Sequence, residues 1–153
     1  MRWTPETLHD IHDLLPYTAQ ALIGCIGVEA TGRLLDALPG VALLVPKHPD
    51  RHPSGARSWA LLAEIIGEPA MRRLAARWGG DALDIPTCHA ARTELHARQV
   101  RALFDRLTRA EGYSGNQAVT AICIAHAPIS SRAVEKICGR GDAEAAVAHG
   151  SLF

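Results

Sequence analysis

Apolar positions recur along this chain with two alternating periods, helical and then strand-like, and the whole pattern is written twice. Thr4-Pro5-Glu6 opens a first helix, with Thr4 as N-cap and Pro5 where a missing N–H is harmless. Leu8, Ile11, Leu14 and Leu15 form its apolar stripe, and Pro16 ends it. Two helical segments follow, Thr18 to Cys25 and Val28 to Leu38, broken near Gly24 and Gly27, since glycine readily takes the left-handed conformation that closes a helix. Pro39-Gly40 terminates the second, and Val41 to Val45 is a short apolar strand closed by Pro46.

Shifted by forty positions, the plan repeats. Ser58 to Ile66 is a helix, Gly67 a break, Glu68-Pro69 opens a helix with Leu74 and Trp78 on one face, and Gly79-Gly80 stops it. Asp81 to Ile85 is the second strand, and Pro86 its end. Between Ile26–Lys47 and Ile66–Thr87, nine of 22 aligned residues are identical without a gap, including Ile26/Ile66, Gly27/Gly67, Arg33/Arg73, Leu34/Leu74, Gly40/Gly80 and Pro46/Pro86. Two copies are too few for a solenoid, so a pseudo-twofold pair is expected. Either the strands pair antiparallel across the pseudo-twofold axis within one chain, or each pairs with its equivalent in a second chain; the pattern leaves both open.

The segment joining the copies, Pro46 to Arg57, is rich in proline and polar residues and reads as a linker, 48–57. His48, His52 and Asp50 lie close in sequence, but no helical or paired spacing converges them on a metal, so they read as a solvated loop. From Ala90 the period is helical again, with Leu95, Val100, Leu103, Phe104 and Leu107 on one face and Arg92, Arg98, Arg101, Arg106 and Arg109 on the other. Glu111 to Gly115 is a turn. Gln117 to Ala125 is a helix with Ala118, Val119, Ile122 and Cys123 inward, broken by His126-Ala127-Pro128. Ser131 to Cys138 is a second short helix, with Val134, Ile137 and Cys138 inward and Gly139 as C-cap. The Ala-rich tail, 141–153, reads with Arg140 as frayed helix or disorder. The expected architecture is mainly α with two short β-strands: a duplicated helix-helix-strand unit over 1–89, with copies at 18–47 and 58–87, then a helix-turn-helix domain over 90–140.

At 153 residues and 48% hydrophobic, the chain has material for a real core. Net charge is zero, so no global basic field announces a partner, but its distribution is uneven. Residues 90–140 carry eight Lys or Arg against four acids, whereas 1–48 are acidic. The four cysteines are widely spaced, with no C-x-x-C pair, so neither a zinc ribbon nor a disulfide framework is expected. No run approaches the roughly 18 apolar residues of a membrane span, and the amino terminus lacks an apolar signal core. These features read as a soluble, reduced, cytoplasmic protein. The eight histidines have no nucleophile or oxyanion motif beside them, so no enzyme, cofactor or metal is expected.

The paired short helices behind a longer one are the outline of a helix-turn-helix, whose second helix enters the major groove. Its outward residues are Ser130, Ser131, Arg132, Glu135 and Lys136, and their chemistry suits a groove. Arg132 can reach guanine or phosphate, Lys136 a phosphate and Glu135 a cytosine, while the serines can meet bases or phosphates. Arg92, Arg98, Arg101 and Arg109 are candidates for backbone contact. A plain helical hairpin shares this outline.

The chain also resembles the Mor/C family of middle and late transcription activators from Mu-like transposable phages. The resemblance is carried by IIGEPAMRRLAARWGGDALDIP, then by ARQVRALFDRL, SGNQAV and ISSRAVEKI, about half the chain. It implies a dimerisation domain, a short strand bearing on the minor groove, a C-terminal helix-turn-helix and contact with bacterial RNA polymerase. Asn116 and Gln117 of SGNQAV, and Lys47 after Val45-Pro46, join the implied DNA-binding residues. Double-stranded DNA is the expected partner, in a bacterial host cell, with the two dimerisation units supplied by a homodimer or by an internal pseudo-dimer. In the second strand Asp84 and Thr87 stand where the family has an aromatic residue and a lysine, and Pro128 lies in the turn. These favour an alternative: a protein-interaction module that binds another regulator through a degenerate helix-turn-helix.

Overall fold

Glycine and proline mark where the elements end in the computed structural model, which describes residues 2–139. The expectation for the tail falls outside those residues. Helix α1, Pro5–Asp10, starts as expected: the Thr7 N–H donates to the Thr4 hydroxyl (3.2 Å) and the Thr4 N–H donates to the Thr7 hydroxyl (2.9 Å). It is shorter than the apolar stripe, because a 3-10 turn at His12–Leu14 takes over. That change of winding buries Leu8, Ile11 and Leu15 but leaves Leu14 45% exposed.

Two helical pairs follow, α2 (Tyr17–Ile26) with α3 (Val28–Ala37) and α4 (Pro53–Ile66) with α5 (Glu68–Trp78). Each pair is broken at one glycine, Gly27 or Gly67, both at φ 88°, where a side chain would be strained. Gly24 is not part of the break; it lies within α2. Helix α4 begins earlier than the sequence pattern indicates, inside the expected linker, because Pro53 occupies the first helical position, where proline is pre-organised for the helix. The fold is mainly α with two short antiparallel strands, as expected.

Helix α2 packs on α3 and on α5, and α4 packs on α5 and on α3, so each copy closes against the other. The core between them is built from repeat-equivalent residues, Leu22 and Leu62, Ile26 and Ile66, Leu34 and Leu74, all buried. Burying such a side chain contributes about 1.5–3 kcal/mol.

Strands β1 (Ala42–Leu44) and β2 (Ala82–Asp84) pair antiparallel within the chain, with Leu43 opposite Leu83. Those two are equivalent in the repeat, so the pseudo-twofold axis passes between them. The flanking hydrogen bonds obey the same axis: Gly40 N–H to Ile85 C=O (2.9 Å) mirrors Gly80 N–H to Val45 C=O (2.8 Å), and Ile85 N–H to Val41 C=O (2.9 Å) mirrors Val45 N–H to Asp81 C=O (3.0 Å).

The copies differ where α1 packs. It lies on α3, over Gly32, where a Cβ would come 3.2 Å from the Trp3 carbonyl oxygen. The equivalent residue of the second copy is Arg72, which pairs with Glu68 at 3.2 Å.

The chain divides into two units at Arg92/Thr93, inside helix α6, His89–Asp105. In the second unit α6 continues into a wide turn, Arg106–Ala110, where the Glu111 N–H reaches back to the Arg106 carbonyl (3.2 Å). Helix α7 is Gly115–Ala125, and residues 131–139 form a further helix that includes Gly139, which the sequence pattern places as its cap. Val100, Leu107, Ala118, Ile122 and Val134 make this unit's core, with Ile129, Ile137 and Cys138 packed against it.

Candidate nucleic-acid interface

A recognition helix needs an anchored inner face and a free outer one. The 131–139 helix has both. Val134 is fully buried and Ile137 and Cys138 pack on the same core, whereas Ser131, Arg132, Glu135 and Lys136 are exposed on the opposite side. The preceding turn fixes where the helix starts. Ser130 is its N-cap: the hydroxyl accepts from the Ala133 N–H (3.1 Å), and the carbonyl accepts from the Val134 N–H (3.1 Å). The Ser130 hydroxyl thus serves the helix itself. Arg132 and Lys136 make no ion pair among the described residues, one turn apart and facing solvent.

Helix α7 begins in a full capping box. The Gln117 N–H donates to the Ser114 hydroxyl (3.2 Å), and the Ser114 N–H donates to the Gln117 side-chain oxygen (2.9 Å). The Gln117 oxygen is therefore committed to the backbone, which leaves its amide N–H groups for other contacts. Asn116 is exposed beside it, and its carbonyl accepts from the Thr120 hydroxyl (3.0 Å). The outer side of α7 also leaves Ile124 77% exposed.

The arginines expected to line one face of α6 have different occupations. Arg92 is half-buried in the first unit. Its guanidinium lies 4.6 Å from the Trp3 ring centre, donates from Nε to the Thr87 carbonyl (3.2 Å) and pairs with Asp36 (3.7 Å). Asp36 also accepts from the Trp3 N–H (2.9 Å). Arg92 is thus a structural tie between the amino terminus, α3 and the start of α6. Arg98 and Arg101 share the Glu94 carboxylate, at 3.2 and 3.0 Å. Arg106 lies 3.8 Å from Glu111. Arg98 and Arg106 are exposed, and pairs of that kind are worth about 0–1 kcal/mol, so a phosphate can displace them, whereas the Arg101–Glu94 pair is half-buried. Arg109 is exposed and has no ion pair among the described residues.

Comparison with family models, with curated proteins and with solved structures returned no match.

The duplicated unit has little of what a strand contact with a phosphate backbone requires. The outward positions of the ribbon are Ala42, Leu44, Ala82 and Asp84, with Leu44 71% exposed. They carry one negative charge and no positive one. Lys47 belongs elsewhere, lining a cavity with the linker. Sequence spacing alone does not reveal that cavity, because His48 and His52 look like members of a solvated loop. The signal that could have found it is the spacing of Lys47, Arg51, Ser54 and Ser58 ahead of and along the first turns of α4. Among the described residues no group of His, Cys, Asp and Glu is arranged to hold a metal, and no helix is long and apolar enough to cross a membrane.

Four cysteines are free thiols. Cys88, buried at the start of α6, has its thiol pushed above the ordinary range by burial, an effect that the nearby Arg92 charge partly opposes.

Proposed function

We propose that this protein is a sequence-specific DNA-binding regulator of transcription, a Mor-like activator of a phage or prophage promoter working in a bacterial cytoplasm. The observation that carries the reading is the outer row of the 131–139 helix, Ser131, Arg132, Glu135 and Lys136, held out by Val134, Ile137 and Cys138. Arg132 and Glu135 would read base edges, Lys136 and Arg109 would hold phosphates, and Arg98 and Arg101 would exchange Glu94 for the backbone as they approach it. Asn116, exposed at the start of α7, would contact a phosphate or sugar. Contact with RNA polymerase follows from the resemblance alone.

The test is to select a preferred duplex from a random pool and titrate binding against salt for the parent, Arg132→Ala and Lys136→Ala. Lys136→Ala should weaken all sequences alike and reduce the salt slope by about 1, while Arg132→Ala should cost about 1–3 kcal/mol and relax preference at one base pair. If neither substitution changes affinity or slope, the helix does not read DNA.

A second reading has its own observation. The exposed, apolar and acidic face of the ribbon, Leu44 with Asp84, suits a protein surface better than a phosphate backbone. In that reading the duplicated unit binds another regulator. It is favoured if Leu44→Lys abolishes capture of that regulator while the Arg132 and Lys136 variants leave it intact.

A further inference from the structure

Between the end of β1 and the first turns of α4 lies a cavity of about 550 Å³ within the first unit. Its polar wall comes from the segment that joins the copies, with Lys47, His48, Arg51, His52, Ser54 and Ser58 all on it. Lys47 and Arg51 make no ion pair among the described residues, and Asp50, the acid of this segment, is not on the wall. Two cations without an ion pair among the described residues thus line one concave surface with two hydroxyls. The start of α4 adds to them. The first bond of this end runs from the Ala56 N–H to the His52 carbonyl (2.8 Å), so the Ser54 and Gly55 amides precede it, and the His52 side chain does not cap them. The rest of the lining is apolar or backbone: Leu44, Val45 and Pro46, with Gly80 of the second copy.

We infer that this cavity is a binding site for a small phosphomonoester. A phosphate group carries about −1.5 to −2 charge at neutral pH and three acceptor oxygens, which matches two cations, two hydroxyls and the helix-end amides. A carboxylate, with one charge, would leave half of that set unused. The volume is far larger than a lone phosphate needs and falls in the range of about 300–1,000 Å³ typical of small-molecule sites. The Leu44–Pro46 wall takes the organic part. The second copy has no counterpart, because α6 occupies the equivalent stretch of sequence after Thr87. The site therefore breaks the pseudo-symmetry, and occupancy bears on one end of the ribbon, where the Gly80 N–H meets the Val45 carbonyl at 2.8 Å.

Backbone phosphates of DNA share this chemistry, and the test separates the sources. Amide chemical shifts of the full chain are followed while inorganic phosphate, adenosine 5′-monophosphate or a short duplex is added. The monophosphate should saturate the Ser54, Gly55 and Ser58 amides and bind more tightly than inorganic phosphate. The double variant Lys47→Ala/Arg51→Ala should weaken it by at least about tenfold, as loss of charge-assisted hydrogen bonds does. Arg57→Ala, which removes an exposed charge of the same segment that is not on the wall, should change it by less than about twofold. All three substitutions lie on the surface, and the circular dichroism of both variants should match the parent. The inference is overturned if the monophosphate fails to saturate those amides, if Arg57→Ala weakens it as much as the double variant, or if only the duplex moves them.

Discussion

Cys88 sits at φ 55°, in the left-handed region that side chains other than glycine rarely adopt, and it is buried there between Pro86 and the first turn of α6. Its carbonyl accepts the Arg92 N–H (2.9 Å), so the same residue starts the helix that joins the two units. Burial makes the thiol harder to ionise in the folded chain than in the unfolded one. The folded state is therefore favoured while the thiol keeps its proton, and that contribution is present in full below the ordinary thiol range and is lost as pH rises from there through the raised value of the folded chain. Urea midpoints taken at about pH 7 and about pH 10 should fall further for the parent than for Cys88→Ala, which has no thiol to titrate. An equal fall in both would show that the buried thiol contributes nothing to the alkaline loss. At this scale little is legible in the sequence. It shows Cys88 beside His89 but not the backbone conformation that aims the thiol inward. It shows Arg92 among other arginines but not Asp36 and Trp3, which lie far away along the chain and capture it.

The elements are more legible, because what ends them is local. A glycine at φ 88° between α2 and α3 has a counterpart between α4 and α5; residue type marks both, but it marks Gly24 as well, which α2 runs through. The start of α4 is hidden for a related reason: a proline-rich run looks like a linker unless one proline falls at the first helical position, as Pro53 does. The arginine face of α6 misleads because pairing depends on turn phase. Glu94 reaches Arg98 and Arg101, one and two turns on, and so shares out two of the charges that the sequence pattern leaves free. The ribbon permits a direct measurement at this scale. Leu83 faces inward and is buried, so Leu83→Ala should cost about 2–5 kcal/mol. Asp84, next to it, faces out, and Asp84→Lys should stay within about 0.5 kcal/mol. Guanidinium melts of the two variants check this, and similar losses in both would mean the strand is rotated from the alternation described.

For the whole molecule, the question left open by the repeat, one chain or two, is answered by Leu43 opposite Leu83 in the same chain. Each strand has its partner covalently attached, so folding of the first unit should not depend on concentration. All three tryptophans, Trp3, Trp59 and Trp78, lie in that unit and make fluorescence its private reporter. Their urea midpoint should stay constant over about a hundredfold range of protein concentration, whereas a midpoint that climbs with concentration would mean that the unit is completed by a second chain. The internal axis also changes what a single substitution does. In a homodimer one altered codon alters both halves, so any change that suits one side of the axis must be tolerated on the other. Here Gly32 could shrink to admit Trp3 while its counterpart became Arg72, and Thr31 could differ from its counterpart Met71, each inherited once. Joining the halves in one gene frees them to specialise, and the basic cavity beside the first strand, with no twin beside the second, is what that freedom leaves behind.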